Sequence, residues 1–380
     1  MEARLLSYRN RELLNLIVVG ILTAIGFASV YIARQATVST GSLSYALFFF
    51  GLYVAAHLVA RFTVPNADPY LLPIAGLLTA VGVTEIYRLD PDDAFRQGTW
   101  IVIGVVLFAA ALVLLRRDFR VLESYKYLFG LGAVLLLFLP EVPKIGTEVN
   151  GARLWVHVGA LRFQPGELGK IALIVFLAGY LREKREVLTQ GRLKDFGPLL
   201  VIWGAAMLML LATKDLGGGL LFFGIFLAML YVATARLSYV AAGLVLFVAG
   251  AYGVYTRVPH VRERVEVWTD PWPHAQTSGY QIIQSLYSAA HGGFGGTGLG
   301  KGTFTDTSGH QLIPYLNTDF IYSALAQELG LIGAAALLLV YMVFVLRGFR
   351  IALLADDGFS KLLATGLTFS FALQTFIIVG

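Results

Sequence analysis

The chain has 380 residues, of which 57% are hydrophobic and only 14% are charged, and its mean hydropathy is +0.72. A soluble domain carries about 25% charged residues, so this composition excludes a protein that meets mainly water and indicates a membrane protein. The absence of cysteine excludes disulfides, cysteine-ligated metal centres and thiol nucleophiles. The net charge of +5 does not by itself indicate nucleic acid, because the placement of basic residues matters more than their total.

Apolar runs that are long enough to cross a bilayer recur along the whole chain. Crossing requires about 20 residues in helical form, and the first run lacks the small-residue exit of a cleavable signal peptide. The predicted fold class is therefore all-α, a polytopic transmembrane helical bundle of about eleven spans. The predicted spans lie near 14–33, 42–60, 70–87, 98–115, 125–140, 167–181, 197–213, 218–234, 239–256, 319–346 and 360–380. Those at 125–140, 167–181 and 197–213 are short, and 319–346 is long enough to tilt.

Basic residues are distributed unevenly between the two sides of these spans. The N-terminal tail and the gaps assigned to the cytoplasm hold seventeen Lys and Arg, whereas the short opposite gaps hold four. This bias predicts a cytoplasmic N-terminus, and it places the long connections 141–166 and 257–318 outside. The second connection, of roughly 60 residues without clear secondary structure, is of a length that is usually functional. Its aromatic residues are equally well explained as anchors at the membrane interface.

Charged residues at one predicted helix start need a partner or a function, because each costs roughly 2.5–3.5 kcal/mol inside an apolar span. Glu167 and Lys170 are three positions apart, which places them on one helical face where they can pair. Pro165 suits the first turn of that helix. A local ion pair at the membrane edge and a functional site both remain open for this pair.

Further carboxylates flank the later spans. Lys214 and Asp215 precede three glycines, which permit a sharp reversal or the close approach of another helix. Asp319 opens the span 319–346 and competes with Thr318 as a helix cap, while Glu328 lies more than two turns deeper. Each of these carboxylates is either structural or part of a site.

Asp270 lies between aromatic residues in the second long connection. Pro271 follows it and favours an extended or turn conformation at Asp270. An aspartate in this setting is commonly only a turn former. Its position in an outward loop, with Arg262, Arg264 and Tyr280 close in sequence, favours a functional role instead.

The glycine-rich run 292–302 resembles a phosphate-binding loop without matching it. Gly295 to Lys301 gives G-x-x-x-x-G-K, but Gly302 replaces the required Ser or Thr, and no predicted strand precedes the run. These departures exclude a nucleotide site. The backbone amides of such a run remain candidates for binding a phosphate or pyrophosphate headgroup.

Several short motifs occur in an order that is similar to that of a known family. They are Asn150–Trp155 (NGARLW), Gln164–Lys170 (QPGELGK), Lys214–Gly217 (KDLG), Trp268–Pro271 (WTDP), Gly279–Ser285 (GYQIIQS), Gly298–Gly302 (GLGKG) and Thr318–Ile321 (TDFI). On these motifs the chain resembles the SEDS family, the RodA, FtsW and SpoVE group of membrane glycosyltransferases that polymerise peptidoglycan. The resemblance runs from about residue 98 to the chain end, which gives N-terminal spans in 1–97 and a SEDS-like core in 98–380.

Three features depart from the common family pattern. The family usually has Gln-Pro-Asp-Leu-Gly where this chain has Thr213–Gly217 (TKDLG), a basic variant that resembles longer, actinobacterial-type members. The first two spans are expected to be additional to the common ten. The family's final span, with its Gly-Gly-Ser-Ser stretch, is expected beyond Gly380.

The resemblance implies extension of glycan chains from lipid II at the outer face of the bacterial cytoplasmic membrane. It implies that Asp270 is the catalytic carboxylate, acting as a general base or as a ligand for a divalent cation, Mg²⁺ or Mn²⁺, with no nucleotide. Arg153 and Lys301 are candidates for pyrophosphate contacts. The remaining expected substrate-binding residues are Glu167, Lys170, Asp215, Tyr280, Gln284 and Asp319.

The implied partners are a class B penicillin-binding transpeptidase and other proteins of an elongation or division complex, and no nucleic acid. The alternative function is a flippase for the lipid-linked precursor, because charged residues within the spans also suit a headgroup path. A scaffold without chemistry fits the spans but leaves the charged outer loops unexplained. The sequence does not separate elongation-type from division-type members.

Overall fold

The structure is a computed structural model that describes residues 2–35, 40–143, 145–149, 152–159, 161–190, 197–212, 215–305, 308 and 311–379. The described residues are overwhelmingly helical, which confirms the predicted all-α class. They divide into two compact units. The first unit comprises Met1–Arg117 and Gly253–Arg347, and the second comprises Asp118–Tyr252 and Gly348–Gly380.

Most helices follow one another with short connections, whereas α6 and α7, and α13 and α14, are separated by 139–164 and 293–320. In chain order they are α1 (Glu2–Gln35), α2 (Thr40–Thr63), α3 (Leu71–Leu89), α4 (Pro91–Leu115), α5 (Val121–Ser124), α6 (Lys126–Phe138), α7 (Pro165–Glu183), α8 (Arg185–Gln190), α9 (Gly197–Ala212), α10 (Leu216–Thr234), α11 (Leu237–Arg257), α12 (Pro259–Thr269), α13 (Tyr280–Gly292), α14 (Ile321–Leu354) and α15 (Gly358–Val379). Short 3₁₀ turns lie at Leu139–Glu141 and Trp272–His274.

A helix lies at each of the eleven predicted spans, although these helices are not equally long or apolar. In the described part of the chain, eight helices are long and apolar enough to cross a membrane. The other three are α6, α7 and α9, which correspond to the short predicted spans 125–140, 167–181 and 197–213. The protein is a multi-pass membrane protein, and the number eleven stays a prediction.

Both long connections contain regular structure. Three antiparallel strands, β1 (Gly146–Val149), β2 (Ala152–Val158) and β3 (Leu161–Phe163), form a small sheet in the order β1-β2-β3. Asn150 and Gly151, between β1 and β2, lie outside the described residues. The connection 257–318 holds α12 and α13, so the expectation of no clear secondary structure there was wrong. Neither helix resembles a span, because α12 is strongly charged and α13 has only 13 residues.

Proline and aspartate fix several helix starts. Pro91 and Pro165 occupy the first turns of α4 and α7, where a missing amide costs nothing. The Asp90 side chain accepts hydrogen bonds from the amides of Asp92 and Asp93, at 2.9 and 3.1 Å. Asp215 caps α10 by accepting from the Gly218 amide at 2.8 Å. These caps satisfy amides that have no partner within the helix.

α14 is kinked at Gly330, where φ is +69° and ψ is −175°. The glycine-rich run enters at this kink: a Cβ on Gly330 would lie 2.3 Å from the backbone nitrogen of Gly296. The amides of Leu331 and Ile332 donate to the carbonyls of Gly293 and Phe294. The run therefore takes up backbone groups that the kink releases, and only glycine permits this approach.

In the first unit, α1 to α4 pack around aromatic side chains and a buried charged cluster. The Phe27 ring lies 5.6 to 6.3 Å from the rings of Tyr45, Phe49 and Tyr87. Elsewhere on α1, Glu12 pairs with Arg9 and with His57 of α2, each at 2.7 Å. Both kinds of contact fix α1 against α2 and α3.

In the second unit, α7 is the central helix. Its residues from Ala172 to Leu181 are all buried, and they form the main core with parts of α6, α9, α10 and α15. Gly366 of α15 lies against Ile174 and Met229, because a Cβ there would come within 2.7 Å of both side chains. A helix that is apolar on every face is expected at such a central place.

Candidate functional site

Glu328 of α14 is a buried carboxylate that is surrounded by donors of the first unit. Its Oε1 lies 2.6 Å from Arg88 Nε of α3 and accepts from the amide of Gly302 at 3.0 Å. Its Oε2 accepts from the amide of Gly300 at 2.7 Å. Arg88 also donates to the Gly302 carbonyl and lies 4.6 Å above the Phe304 ring. The charge of Glu328 is therefore compensated within the protein.

The amides of the glycine-rich run are directed at the protein itself. Besides Gly300 and Gly302, the amides of Thr297 and Gly298 donate to the carbonyls of Gln327 and Glu328 at 3.0 and 2.9 Å. These four amides are therefore not free to bind a phosphate headgroup, and binding by the other amides of the run stays a prediction. The physical reason is that an internal carboxylate already occupies the position of the anion.

Lys301 differs from the amides on either side of it. Its side chain is exposed, and it forms no hydrogen bond or ion pair with any residue in the described ranges. Positive φ angles at Gly298 and Gly300, +100° and +82°, form the turns that flank it. The run is thus held by its backbone, and its Lys301 ammonium group is unpaired as far as the described residues show.

Asp270 directly follows α12, and its side chain has no partner among the described residues. Its amide donates to the Glu266 carbonyl at 2.8 Å, and its backbone is extended with φ −144° and ψ 90°, as the following proline predicts. The carboxylate is exposed and forms no hydrogen bond or ion pair within the described part of the chain. Arg262, expected near it, instead donates to the Thr256 carbonyl at 3.1 Å.

α13 is fixed to the start of α14 by small polar side chains. Ser288 Oγ donates to Gln327 Oε1 at 2.7 Å, and Ser285 Oγ hydrogen-bonds to Ser323 Oγ. A Cβ on Gly292 would lie 2.3 Å from a carbonyl of α14. Through this packing, α13 holds Tyr280 in its first turn and Gln284 one turn further along, both half-buried.

Asp319 lies in a turn that precedes α14 rather than within the helix. Its amide donates to the Tyr315 carbonyl at 3.0 Å, and its exposed side chain has no partner among the residues described. Neither cap proposed from the sequence, Asp319 or Thr318, donates to or accepts from an α14 amide there. In the same turn, Asn317 Nδ2 donates to Asp93 Oδ2 at 2.6 Å.

The predicted pair at the start of α7 is present in the second unit. Lys170 Nζ lies 2.8 Å from Glu167 Oε2 and donates to Gln374 Oε1 of α15 at 2.7 Å. The Lys170 side chain is 6% exposed and that of Glu167 is 53% exposed. The buried Lys170 is thus neutralised by the more exposed Glu167, and this ion pair confirms the predicted pairing.

Asp215 and Arg153 complete the predicted residues of the second unit. The pKa of Asp215 lies above its ordinary value, first because the side chain is buried and also because of the nearby Glu167 carboxylate. The hydrogen bond from Gly218 and the charge of Lys170 act in the opposite direction without outweighing burial. Arg153 lies on β2, half-exposed, with Nε 3.4 Å from Glu148 Oε2. Lys214 lies outside the described residues.

The structure brings only some of the predicted residues together. Glu167 and Lys170 touch, and Asp215 lies within their electrostatic reach. In the first unit, no hydrogen bond or ion pair of the described residues joins Asp270 to the other predicted site residues. No group of three or more His, Asp or Glu side chains with metal-ligand geometry occurs in the part of the chain that is described.

Sequence reasoning missed three participants: Arg88, Glu85 and Gln374. Arg88 was counted only as a cation between spans, although it is the partner of Glu328. Glu85 is fully buried, and its carboxylate oxygens accept no hydrogen bond from the described residues. The three-residue spacing of Glu85 and Arg88 in one apolar span was an available signal. A single glutamine in an apolar helix such as α15 gave none.

Comparison with known proteins identifies relatives over nearly the whole chain. The family described as "Cell cycle protein", which groups FtsW, RodA and SpoVE, matches residues 69–380. A relative named peptidoglycan glycosyltransferase RodA, from Mycobacterium leprae, is 39% identical over 98% of this chain and 82% of its own length. A relative named probable peptidoglycan glycosyltransferase FtsW, from Geobacter metallireducens, is 34% identical over 82% of this chain and 84% of its own length.

A solved structure is similar in fold as well. It is described as the structural coordination of polymerization and crosslinking by a peptidoglycan synthase complex. Its TM-score is 0.66 at 26% identity, and the match covers 83% of this chain and 87% of the solved one. The family match begins at residue 69, so α1 and α2 precede it.

Proposed function

The chain belongs to the FtsW, RodA and SpoVE family, and we propose on that premise that it is a peptidoglycan glycosyltransferase which polymerises lipid II. It is a multi-pass protein of the bacterial cytoplasmic membrane. Two relatives that are 39% and 34% identical carry glycosyltransferase names. Asp270, exposed and unpaired within the described ranges, is the single observation in this molecule that supports the chemistry best.

The proposed reaction transfers a growing glycan between lipid carriers. A sugar hydroxyl of the acceptor attacks the anomeric carbon of the donor, the new glycosidic bond forms, and the bond to undecaprenyl pyrophosphate breaks. Asp270 accepts the hydroxyl proton, and the pyrophosphate leaves with the bonding electron pair. A general base requires a carboxylate that is not already neutralised by a protein cation, and Asp270 meets this requirement.

A divalent cation is compatible with the same carboxylate. Mg²⁺ is commonly bound by one or two carboxylates together with substrate phosphates. Asp270 offers one such ligand, and the leaving pyrophosphate would offer the others. A bound cation would supply charge neutralisation on the leaving group, a role that Lys301 of the same unit shares in this proposal.

The partner proposed for this chain is a class B penicillin-binding transpeptidase. Support comes from the solved relative, whose complex joins polymerization to crosslinking. A transpeptidase acting on the same strand would use each segment as the polymerase releases it.

A flippase for lipid-linked precursor is the second candidate. The observation in its favour is the Lys170, Glu167 and Gln374 cluster, which places a buried cation between two helices of the second unit. Polar groups at such a place often mark a transport path. The cluster is internally satisfied, which also suits a structural role.

Purified protein in liposomes, with labelled lipid II and the transpeptidase, separates the two candidates. Long glycan strands on gels are the expected product, and strand formation should not require lipid II on both leaflets. Translocation of lipid II without any strand would overturn the glycosyltransferase proposal. A cysteine at Ser278, modified by an impermeant reagent in spheroplasts while one at Asp356 is not, is the expected orientation control.

A further inference from the structure

A cavity of about 830 Å³ lies within the first unit beside the glycine-rich run. This volume is within the range of small-molecule sites, about 300–1,000 Å³. Three elements form its walls: the end of α1, the run itself, and α14 next to its kink. The lining residues used below are Ile32, Ala33, Leu299, Lys301, Leu329 and Ile332.

The electrostatics of this cavity favour an anion. Glu328 also lines it, but its carboxylate is already paired with Arg88 and two amides. The Lys301 ammonium has no such partner among the described residues. Within the described part of the chain, the cavity therefore offers a ligand one positive charge that is not compensated.

The remaining walls favour a lipid tail. Ile32 is 51% exposed and Ile332 is 67% exposed, and each belongs to a helix of membrane-spanning length. Exposed isoleucines on such helices face hydrocarbon. With the N-terminus inside, the end of α1 lies at the outer membrane interface. An amphiphile with an anionic head at that interface fits both the charge and the walls.

Close packing fixes the α1 wall against the run. A Cβ on Gly300 would lie 2.6 Å from Ala33 Cβ and 3.3 Å from Val30 Cα. Gly300 also has a φ of +82°, so both its conformation and its contact with α1 require glycine. The cavity is thus a built feature in which α1 has a defined place.

We propose that this cavity binds the pyrophosphate and first isoprene units of a polyprenyl-linked substrate, with Lys301 on the phosphates and α1 along the chain. The proposal rests on the proposed function, which requires a polyprenyl pyrophosphate at the outer face. It adds to that function a binding surface from α1, which precedes the family match at 69–380.

Photolabelling measures this binding without turnover. The protein carries Asp270→Asn, and the probe is a polyprenyl pyrophosphate with a photoreactive group in its first isoprene units. We expect labelled peptides from the end of α1 and from α14 after the kink. Lys301→Gln should lower labelling about tenfold, as expected for loss of a charged hydrogen bond, whereas Arg96→Gln on an exposed cation should not.

Ile32→Trp is the sharper variant, and Ile25→Trp is its matched control. Both isoleucines are on α1 and similarly exposed, at 51% and 55%, but only Ile32 lines the cavity. Loss of labelling with Ile32→Trp alone supports the proposal. Equal labelling of the Ile32→Trp and Ile25→Trp proteins overturns it. The proposal is also overturned if phosphatidylglycerol or inorganic pyrophosphate competes with the probe as well as unlabelled polyprenyl pyrophosphate does. Polymer formation by wild-type protein is measured in parallel, so a failure of the proposed function appears separately.

Discussion

Two carboxylates of the first unit stand in opposite surroundings. Glu328 is 1% exposed and receives an arginine and two backbone amides. Asp270 is exposed at the end of a charged helix and receives no partner from the described residues. One carboxylate has its charge satisfied before any ligand arrives, and the other does not.

This difference separates a structural role from a chemical one. A carboxylate that is paired with an arginine and bound by two backbone amides is not available to a ligand, because the ligand would have to displace those partners. An unpaired carboxylate can accept a proton or bind a cation at little cost to the fold. The two lysines differ in the same way. Lys170 has two protein partners, whereas Lys301 has none among the described residues.

The largest expected effect is on the activity of Asp270→Asn. The amide keeps the shape of the side chain but removes the charge, so polymer formation should fall about 10²–10⁴-fold. Thermal stability and binding of the transpeptidase should stay unchanged, because the side chain has no partner to lose among the residues that the structure describes. Glycan strands are measured on gels with labelled lipid II. Wild-type rates would remove Asp270 from the mechanism and make Asp319 the next carboxylate to test.

The main expected effect of Glu328→Ala is a loss of folding stability, not a direct loss of catalytic activity. The substitution removes the ion-pair partner of Arg88, whose side chain is 14% exposed, and loss of one partner of a buried pair typically costs about 3–5 kcal/mol. Unfolding of detergent-solubilised protein, followed by intrinsic fluorescence, measures the loss. Asp319→Ala is the matched control, since that carboxylate is exposed and unpaired in the described part of the chain. Equal melting of the two variants would contradict the structural role of Glu328.

Chelation should lower polymer formation by at least about tenfold, because a bound cation is worth several kcal/mol of charge stabilisation. Activity after EDTA treatment is measured, and Mg²⁺ or Mn²⁺ is then restored. The Asp270→Asn protein should show no further loss on chelation. Full activity in EDTA would mean that Lys and Arg side chains alone neutralise the leaving pyrophosphate.

The smallest effect concerns Asp357, which precedes α15. Burial raises its pKa, but hydrogen bonds from Ser360 and the charge of Arg120 outweigh this, so the pKa lies below its ordinary value. A depressed pKa contributes stability that is present above about pH 4 and is lost as the pH falls through the folded-state pKa. Between pH 7 and pH 3 the melting temperature of Asp357→Asn should fall less steeply than that of the wild-type protein. The corresponding difference in the free energy of unfolding should be under about 1 kcal/mol.

Patterns that repeat within a few residues were predicted well. The spans follow from apolar composition alone, and the Glu167 and Lys170 pair follows from its three-residue spacing. The extended backbone at Asp270 follows from Pro271. In each case the residues that determine the feature lie in the same segment of the chain as the feature itself.

Contacts between distant segments could not be predicted in this way. The glycine-rich run is locally similar to an anion-binding loop, and only its packing against Glu328 shows that the anion is internal. Gln374 is likewise unremarkable in sequence, although it holds Lys170 from 204 residues away. Short helices such as α12 and α13 escaped a search that looked for apolar length.

The bond between Arg88 and the glycine-rich run also has a consequence for biosynthesis. Arg88 and Gly302 are 214 residues apart in sequence, so a ribosome adding about 5–20 residues per second needs about 10–40 s to deliver the second partner. Throughout that interval the nascent α3 carries an arginine without Glu328. During that time the partner available within α3 itself is Glu85, which lies one turn earlier on the same helical face.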